Sequence, residues 1–234
     1  MNISAFDEYA SKYDAWFMKN KNILDSEVAL LAYFLEEPGK ALSIGCGSGL
    51  FEMLLKKDYG IIIEEGIEPA TGMAEIAEKR GLKVRIGSAE ELNYGNEEFD
   101  TVIFNGTPSY IKDLEKAFRK TYDALKNEGK ILVVDVPKES SYGLLYNLAK
   151  EVRTWENDYF IDAKPEDVYP LEFVKESNWR STPEKMEMLK KIGFMDFKFA
   201  QTLTRHPVYS NYEKEEPIEG YDKGDYVAIY ASKK

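Results

Sequence analysis

Short apolar runs alternate with amphipathic helical stretches through most of the chain. Runs with strand character occupy residues 41–44, 61–67, 82–86, 99–104, 131–136, 197–203 and 226–231. Helical periodicity occupies residues 51–57, 73–79, 111–125 and 182–192. Strands that alternate with helices predict βαβ units and a mostly parallel sheet with right-handed crossovers. The run at 131–136 is apolar enough for burial on both faces, and 226–231 is expected to close the sheet.

Two helices are predicted ahead of the first strand, within residues 1–37. The first has an unusually aromatic face, with residues spaced by three and four at Phe6, Tyr9, Ala10, Tyr13, Trp16 and Phe17. Asp25 is predicted to cap the second helix, and Pro38 and Gly39 are predicted to end it. The apolar side of this second helix is expected to contain Val28, Leu31, Ala32 and Leu35.

The periodic pattern weakens between residues 138 and 180. Aromatic and charged residues are mixed there, and Pro165 and Pro170 interrupt any helical period. We interpret this stretch as an insertion that covers the sheet edge rather than as a second domain. The sequence therefore predicts a single domain over residues 1–234, with N-terminal helices at 1–37 and an aromatic cap at about 138–180.

Composition narrows the range of functions. The 234 residues carry a net charge of −11, which disfavours binding to the phosphate backbone of nucleic acids. One cysteine and one histidine exclude an internal disulfide, a multi-cysteine zinc site and a histidine-rich metal site. No apolar run reaches the roughly 18 residues of a membrane span, and the opening residues contain no apolar secretion signal. We therefore expect a cytoplasmic protein without a metal, a nucleic-acid partner or a membrane partner.

The sharpest chemical feature follows the first predicted strand. Gly45, Gly47 and Gly49 form a Gly-x-Gly-x-Gly loop that enters a helix, where backbone can approach a ligand closely. Glu68 lies 23 residues after Gly45, at the end of the second predicted strand, where a carboxylate can accept hydrogen bonds from both hydroxyls of a ribose. The alternatives are a tight turn and a solvent-facing glutamate. Because the Gly-x-Gly-x-x-Gly spacing and a phosphate-binding lysine pattern are absent from the loop, it favours a nucleoside ligand without a pyrophosphate.

Seven short motifs follow one another along the chain. They occupy residues 6–14, 43–49, 66–73, 87–92, 98–103, 124–131 and 219–227. In this order they resemble the motifs of class I S-adenosylmethionine-dependent methyltransferases, and the opening segment is similar to that of the methyltransferase type 11 branch. The segment at 219–227 looks like the last-strand motif of a small prokaryotic group within that branch.

The resemblance implies an α/β, Rossmann-like class I methyltransferase fold. Its mostly parallel seven-stranded sheet would have an antiparallel last strand and helices on both faces. The resemblance also implies S-adenosyl-L-methionine as methyl donor, S-adenosyl-L-homocysteine as product, and transfer by in-line displacement to an unidentified small-molecule acceptor. The cofactor-binding residues that it implies are Tyr9, Tyr13, Gly45, Cys46, Gly47, Gly49, Glu68, Pro69, Met73, Ser88, Ala89, Glu90, Asn105 and Gly106.

Most of these residues have an implied role along the length of the cofactor. The three loop glycines would hold its amino-acid end, and Glu68 would hold its ribose. Pro69 and Met73 would pack on the adenine. Asn105 and Gly106 follow the fourth strand, beside the expected methylsulfonium.

The adenine edge and the cover of the cofactor are implied by fewer matching residues. Many relatives carry an aspartate where Ser88 stands, and a serine would accept only a weaker hydrogen bond from the adenine amino group. The Ala89 N–H and Glu90 are therefore also candidates for that contact. Tyr9 and Tyr13, on the opening helix, would cover the cofactor.

No catalytic residue is identified from the sequence. Tyr13, Tyr110 and His206 are the candidates for a base, which is needed only if the acceptor is protonated. Residues 105–110 resemble the Asn-Pro-Pro-Tyr motif of amino-group methylases, but the spacing differs. A nucleophilic pair of Cys46 and His206 is disfavoured because Cys46 lies inside the cofactor loop.

Two other functions stay open at this level. One is a non-catalytic S-adenosylmethionine-binding regulatory protein, since methyl transfer in this family often requires no catalytic residue that a sequence reveals. The other is a dinucleotide oxidoreductase, which the spacing of the glycine loop disfavours. The acceptor, the atom that is methylated and the oligomeric state are left open.

Overall fold

A mixed eight-stranded sheet forms the centre of the protein within residues 6–7 and 10–234, which are the residues that this computed structural model describes. The strands are β1 (Ala41–Ile44), β2 (Glu65–Glu68), β3 (Lys83–Ile86), β4 (Phe99–Asn105), β5 (Leu125–Asp135), β6 (Met195–Thr202), β7 (Ile218–Glu219) and β8 (Tyr226–Ser232). Their order across the sheet is β3-β2-β1-β4-β5-β8-β6-β7. β1 to β5 pair in parallel, whereas β8 pairs antiparallel with both β5 and β6.

Helices occupy most of the connections between the strands. They are α1 (Ala10–Lys19), α2 (Lys21–Ala32), α3 (Leu50–Leu54), α4 (Thr71–Lys79), α5 (Leu114–Ala124), α6 (Ser141–Val152), α7 (Leu171–Glu176) and α8 (Thr182–Ile192). α3 continues into a π-helical turn, and short 3₁₀ turns lie at Pro108–Tyr110, Asp158–Phe160 and Pro207–Tyr209. Within the described part of the chain, no helix has the length and apolar character needed to cross a membrane.

Both faces of the sheet are buried. In β5, Leu132 and Val134 belong to a hydrophobic cluster that includes residues of α1, α2, α6 and α7. Ile131 and Val133 belong to a second cluster, formed with residues of α5 and α8. Successive side chains of a strand point to opposite faces, so this continuous apolar run fills both layers at once. The prediction of a Rossmann-like sheet with helices on both faces is confirmed.

Several local predictions are corrected by the structure. α2 begins at Lys21, so Asp25 lies inside the helix and pairs with Lys21 instead of capping it. The described sheet has eight strands rather than seven, because the two residues of β7 pair with the outer edge of β6. The weakly periodic stretch between residues 138 and 180 contains two helices, α6 and α7.

Aromatic contacts join the N-terminal residues to the segment between β5 and β6. Phe6 stacks on Phe173 of α7 with ring centroids 4.7 Å apart, and Trp16 of α1 meets Tyr169 edge-on at 5.0 Å. The Trp16 indole N–H also donates to the carbonyl of Asp167 at 3.2 Å. α1 is therefore packed on this segment, at the end of the sheet where β1, β2 and β4 finish.

Candidate functional site

The glycine loop (45–49) leaves the end of β1 and leads into α3. The Gly45 N–H donates to the Ile67 carbonyl at 2.7 Å, which joins the loop to the end of β2. A Cβ atom on Gly45 would lie 2.4 Å from Thr107 Cγ2, so only glycine allows this approach. Gly47 has a φ of +55°, and a Cβ there would meet no described atom within 4 Å. The backbone at Gly47 thus borders open space.

Glu68 connects the glycine loop to the start of α4. Its carboxylate accepts the N–H of Gly47 and the N–H of Ala70, both at 2.9 Å. The side chain is buried, and this burial raises its pKa to about 7, although both hydrogen bonds act in the opposite direction. Glu68 therefore has a structural role that the sequence did not indicate, in addition to any contact with a ligand.

A cavity of about 440 Å³ lies at the carboxyl ends of β1, β2, β4 and β5. In open α/β sheets this is where ligands bind. The residues predicted from the sequence that line it are Tyr13, Gly45, Gly47, Glu68, Pro69, Met73, Ser88, Ala89, Glu90, Asn105, Gly106 and Tyr110. The fold thus brings together, around one cavity, residues that are separated by almost a hundred positions in the sequence.

Polar contacts already hold several of these lining residues. Glu90 Oε1 accepts the backbone N–H groups of Lys112 and Asp113 at 3.1 and 3.3 Å, which fixes the start of α5. Asn105 Oδ1 accepts the Tyr226 hydroxyl at 2.8 Å. This hydrogen bond joins the end of β4 to the beginning of β8, and it sets the orientation of the Asn105 amide at the cavity wall.

Three of the predicted residues that the structure describes do not line the cavity, and a fourth predicted residue is not described. Tyr9 lies outside the described residues. Cys46 packs with Ala77 and Leu82, and Gly49 approaches the same two residues, so neither lines the cavity. His206 is exposed at the Pro207–Tyr209 turn, where Nδ1 accepts the Val208 N–H at 3.3 Å. The choice of His206 as a candidate base is therefore corrected, because it does not reach the cavity.

The two candidate tyrosines do line the cavity but are poor bases. Burial, followed by the charge of Glu27, raises the pKa of Tyr13 well above its usual value. Burial also raises the pKa of Tyr110. A phenol with a raised pKa stays protonated at neutral pH, so both hydroxyls can donate hydrogen bonds but cannot readily accept a proton.

Sequence reasoning missed several polar residues of the cavity wall, among them Thr107, Asp135 and Glu27. Thr107 packs against Gly45, and Asp135 at the end of β5 is held by the Ser109 hydroxyl at 2.8 Å and by Lys185 Nζ at 3.2 Å. The third is Glu27, on α2. Its signal in the sequence is its position between Leu24 and Leu31 on the apolar face of the predicted helix, where a carboxylate is unexpected.

The residues that the structure describes form no cluster suited to metal binding. No group of three histidine, cysteine, aspartate or glutamate side chains is close enough there to hold a metal ion.

Comparison with known proteins identifies the family. The type 11 family model, described as a methyltransferase domain, matches residues 42–133. A solved structure from Thermotoga maritima, described as a SAM-dependent methyltransferase and possible histamine N-methyltransferase, is 33% identical, has a TM-score of 0.83 and is matched over 99% of both chains. The chain belongs to the S-adenosylmethionine-dependent methyltransferases. It is an enzyme of this family, and the resemblance stated from its motifs is confirmed.

The curated relatives of this methyltransferase differ in how much of their length matches this chain. An uncharacterized protein of Methanocaldococcus jannaschii is 33% identical over 231 residues, 99% of this chain and 100% of the relative. A malonyl-[acyl-carrier protein] O-methyltransferase of Priestia megaterium is 29% identical over 132 residues, 54% of this chain and 48% of the relative. Similarity to the second relative is thus limited to about half of each chain, and the acceptor of this methyltransferase is not identified by it.

Proposed function

We propose that this methyltransferase transfers a methyl group from S-adenosyl-L-methionine to a small-molecule acceptor held in the same cavity. The observation that carries the proposal is the composition of one continuous wall. Gly45, Gly47 and Glu68 contribute one part of it, and aromatic rings such as Tyr146 and Trp179 contribute another. A donor at the glycine loop and an acceptor among the rings would therefore share one cavity.

The cavity fits the proposed donor at the glycine loop. Open space beside Gly47 leaves room for a ligand where any side chain would protrude. Glu68 accepts the Gly47 N–H with one oxygen and the Ala70 N–H with the other, and each oxygen keeps a lone pair for ribose hydroxyls. We assign Pro69 and Met73 to the adenine faces, and Ser88 with Ala89 to its polar edge.

The segment at about 138–180 and the N-terminal helices are proposed to cover both ligands as parts of one domain. The contacts of Phe6 with Phe173 and of Trp16 with Tyr169 support this, because they join the two parts directly over the ends of the strands. Such a cover excludes water from the site.

In this proposal the protein acts mainly by binding the donor and the acceptor and by orienting them for transfer. The bound sulfonium supplies an electrophilic methyl group. The chain contributes enclosure, alignment of the acceptor, and a fixed Asn105 amide and Tyr226 hydroxyl at the cavity wall. A base is required only if the acceptor arrives protonated.

Calorimetry with nucleotide ligands tests the proposal. We expect S-adenosyl-L-homocysteine to bind the purified protein, and NAD⁺ to bind at least about tenfold more weakly, since the loop lacks a pyrophosphate-binding spacing. Tighter binding of NAD⁺ would contradict the proposal. Incubation with labelled methyl donor and a pool of small metabolites then tests transfer, and label found only in donor-derived products would contradict catalysis.

A further inference from the structure

The least expected group in the cavity wall is a carboxylate. Glu27 on α2 is 7% exposed and lines the cavity. No described residue donates a hydrogen bond to it or pairs with it: burial alone accounts for the rise of its pKa well above the usual range. Lys112 and Lys116, which also line the cavity, come from the start of α5 and form no ion pair with it.

Glu27 lies among aromatic residues from two sides of the protein. After burial, its charge is the largest cause of the raised pKa of Tyr13 on α1 and of Tyr226 on β8. Glu27, Tyr226 and Asn105 line the same cavity, and the Tyr226 hydroxyl donates to Asn105 at the end of β4, where the methyl group is expected. The remaining wall in this part of the cavity includes Trp16, Phe17, Tyr146, Tyr169 and Trp179.

This arrangement favours a ligand that carries a positive charge or donates a hydrogen bond. A buried carboxylate without a partner is costly, and a ligand that donates a hydrogen bond or carries a positive charge removes that cost. Aromatic rings attract cations as well. A carboxylate or phosphate acceptor would instead meet a like charge. A neutral alcohol would satisfy the hydrogen bond but gain nothing from the charge.

We propose that Glu27 binds the acceptor of this methyltransferase, that the acceptor is a small primary or secondary amine, and that Glu27 takes its proton. The inference rests on the proposed methyl transfer and adds the substrate class. An amine that arrives as an ammonium gives one proton to the Glu27 carboxylate. Its nitrogen lone pair then forms a bond to the methyl carbon while the carbon–sulfur bond breaks, and that electron pair stays on sulfur. The positive charge passes from sulfur to nitrogen, and the proton on Glu27 returns to water after product release.

The test uses three proteins and matched probes. The proteins are the wild type, Glu27→Gln and the control Glu36→Gln, whose exposed carboxylate follows α2. Calorimetry first measures S-adenosyl-L-homocysteine with each protein. With that ligand saturating, three amines (benzylamine, phenethylamine and butylamine) are titrated beside the alcohol and the carboxylic acid of the same carbon skeleton. Methyl transfer from S-adenosyl-L-methionine to the same probes is followed by mass spectrometry.

We expect the wild type to bind and methylate at least one amine and none of the acids. Glu27→Gln should weaken amine binding by about 10- to 100-fold, the size expected for loss of a charge-assisted hydrogen bond. It should leave the affinity for S-adenosyl-L-homocysteine unchanged, because Glu27 is assigned to the acceptor and not to the donor. Glu36→Gln should change none of these quantities.

Each other outcome is also decisive. If S-adenosyl-L-homocysteine binds but no amine does, or if acids or alcohols bind as well as amines, the assignment of the substrate class is wrong. Equal amine binding by Glu27→Gln would remove Glu27 from the acceptor site. If Glu27→Gln does not fold, the head-group preference of the wild type and the Glu27→Asp variant decide instead. Failure of every protein to bind S-adenosyl-L-homocysteine would overturn the proposed function itself.

Discussion

The pH dependence of stability offers a direct test of how Glu68 is held. Its pKa is raised from 4.5 to about 7, chiefly by burial, so ionising it in the folded protein costs about 3 kcal/mol. The stabilising contribution of the protonated group is complete below pH 4.5 and is lost as pH rises through about 7. Glu68→Gln keeps the size of the side chain but removes this titration.

The measurement is urea unfolding of the wild type and of Glu68→Gln between pH 4 and pH 8. We expect the free energy of unfolding of the wild type, minus that of Glu68→Gln, to fall by about 3 kcal/mol between pH 4.5 and about pH 7. Titration of other groups cancels in this difference. Glu64→Gln, at an exposed carboxylate on the same segment, is the matched control for the substitution itself. A flat curve for Glu68→Gln would show that Glu68 titrates as it does in an unfolded chain.

Three further outcomes are expected. Gly47→Val should abolish detectable S-adenosyl-L-homocysteine binding in calorimetry, because its side chain would enter the cavity, whereas Gly60→Val, at a similarly positive φ with open space and away from the cavity, should bind normally. If both variants bind equally, the glycine loop is only a turn. Lys185→Met leaves Asp135 buried without its counter-charge and should cost about 3–5 kcal/mol of unfolding free energy in urea, and a loss below about 1 kcal/mol would show that water replaces the lysine. Hydrogen exchange in Ala10–Lys19 should slow on addition of S-adenosyl-L-homocysteine more than exchange in β5, as for a lid, and equal protection would identify permanent packing.

Strand positions in the centre of the sheet were predictable because local and tertiary preferences agree there. Ala41–Ile44 and Phe99–Asn105 are mostly apolar, and most of their side chains are buried. The second strand was predicted too long, since only Glu65–Glu68 pairs with neighbours, although Ile61 and Ile63 before it are buried. An alternating burial pattern therefore indicates which side chains are covered, not whether the backbone has a partner strand.

The donor half of the candidate site was easier to predict than the acceptor half. Gly45, Gly47 and Glu68 lie in motifs whose spacing follows from one strand–loop–helix unit. Glu27 and Asp135 reach the cavity only through the packing of α2 and the end of β5, which no local pattern contains. For Glu27, the signal in the sequence is a single acidic residue on an apolar helix face.

The position of β8 has a consequence for how this chain is synthesised. β6 and β7 precede it in the sequence, yet they are hydrogen-bonded to the rest of the sheet only through β8. Until Tyr226–Ser232 has left the ribosome, β5 has an open, apolar edge, and the pair of β6 and β7 has no link to the rest of the sheet. A folding intermediate that lacks β8 therefore exposes an apolar sheet edge, and this is the stage at which a chaperone would protect the chain most.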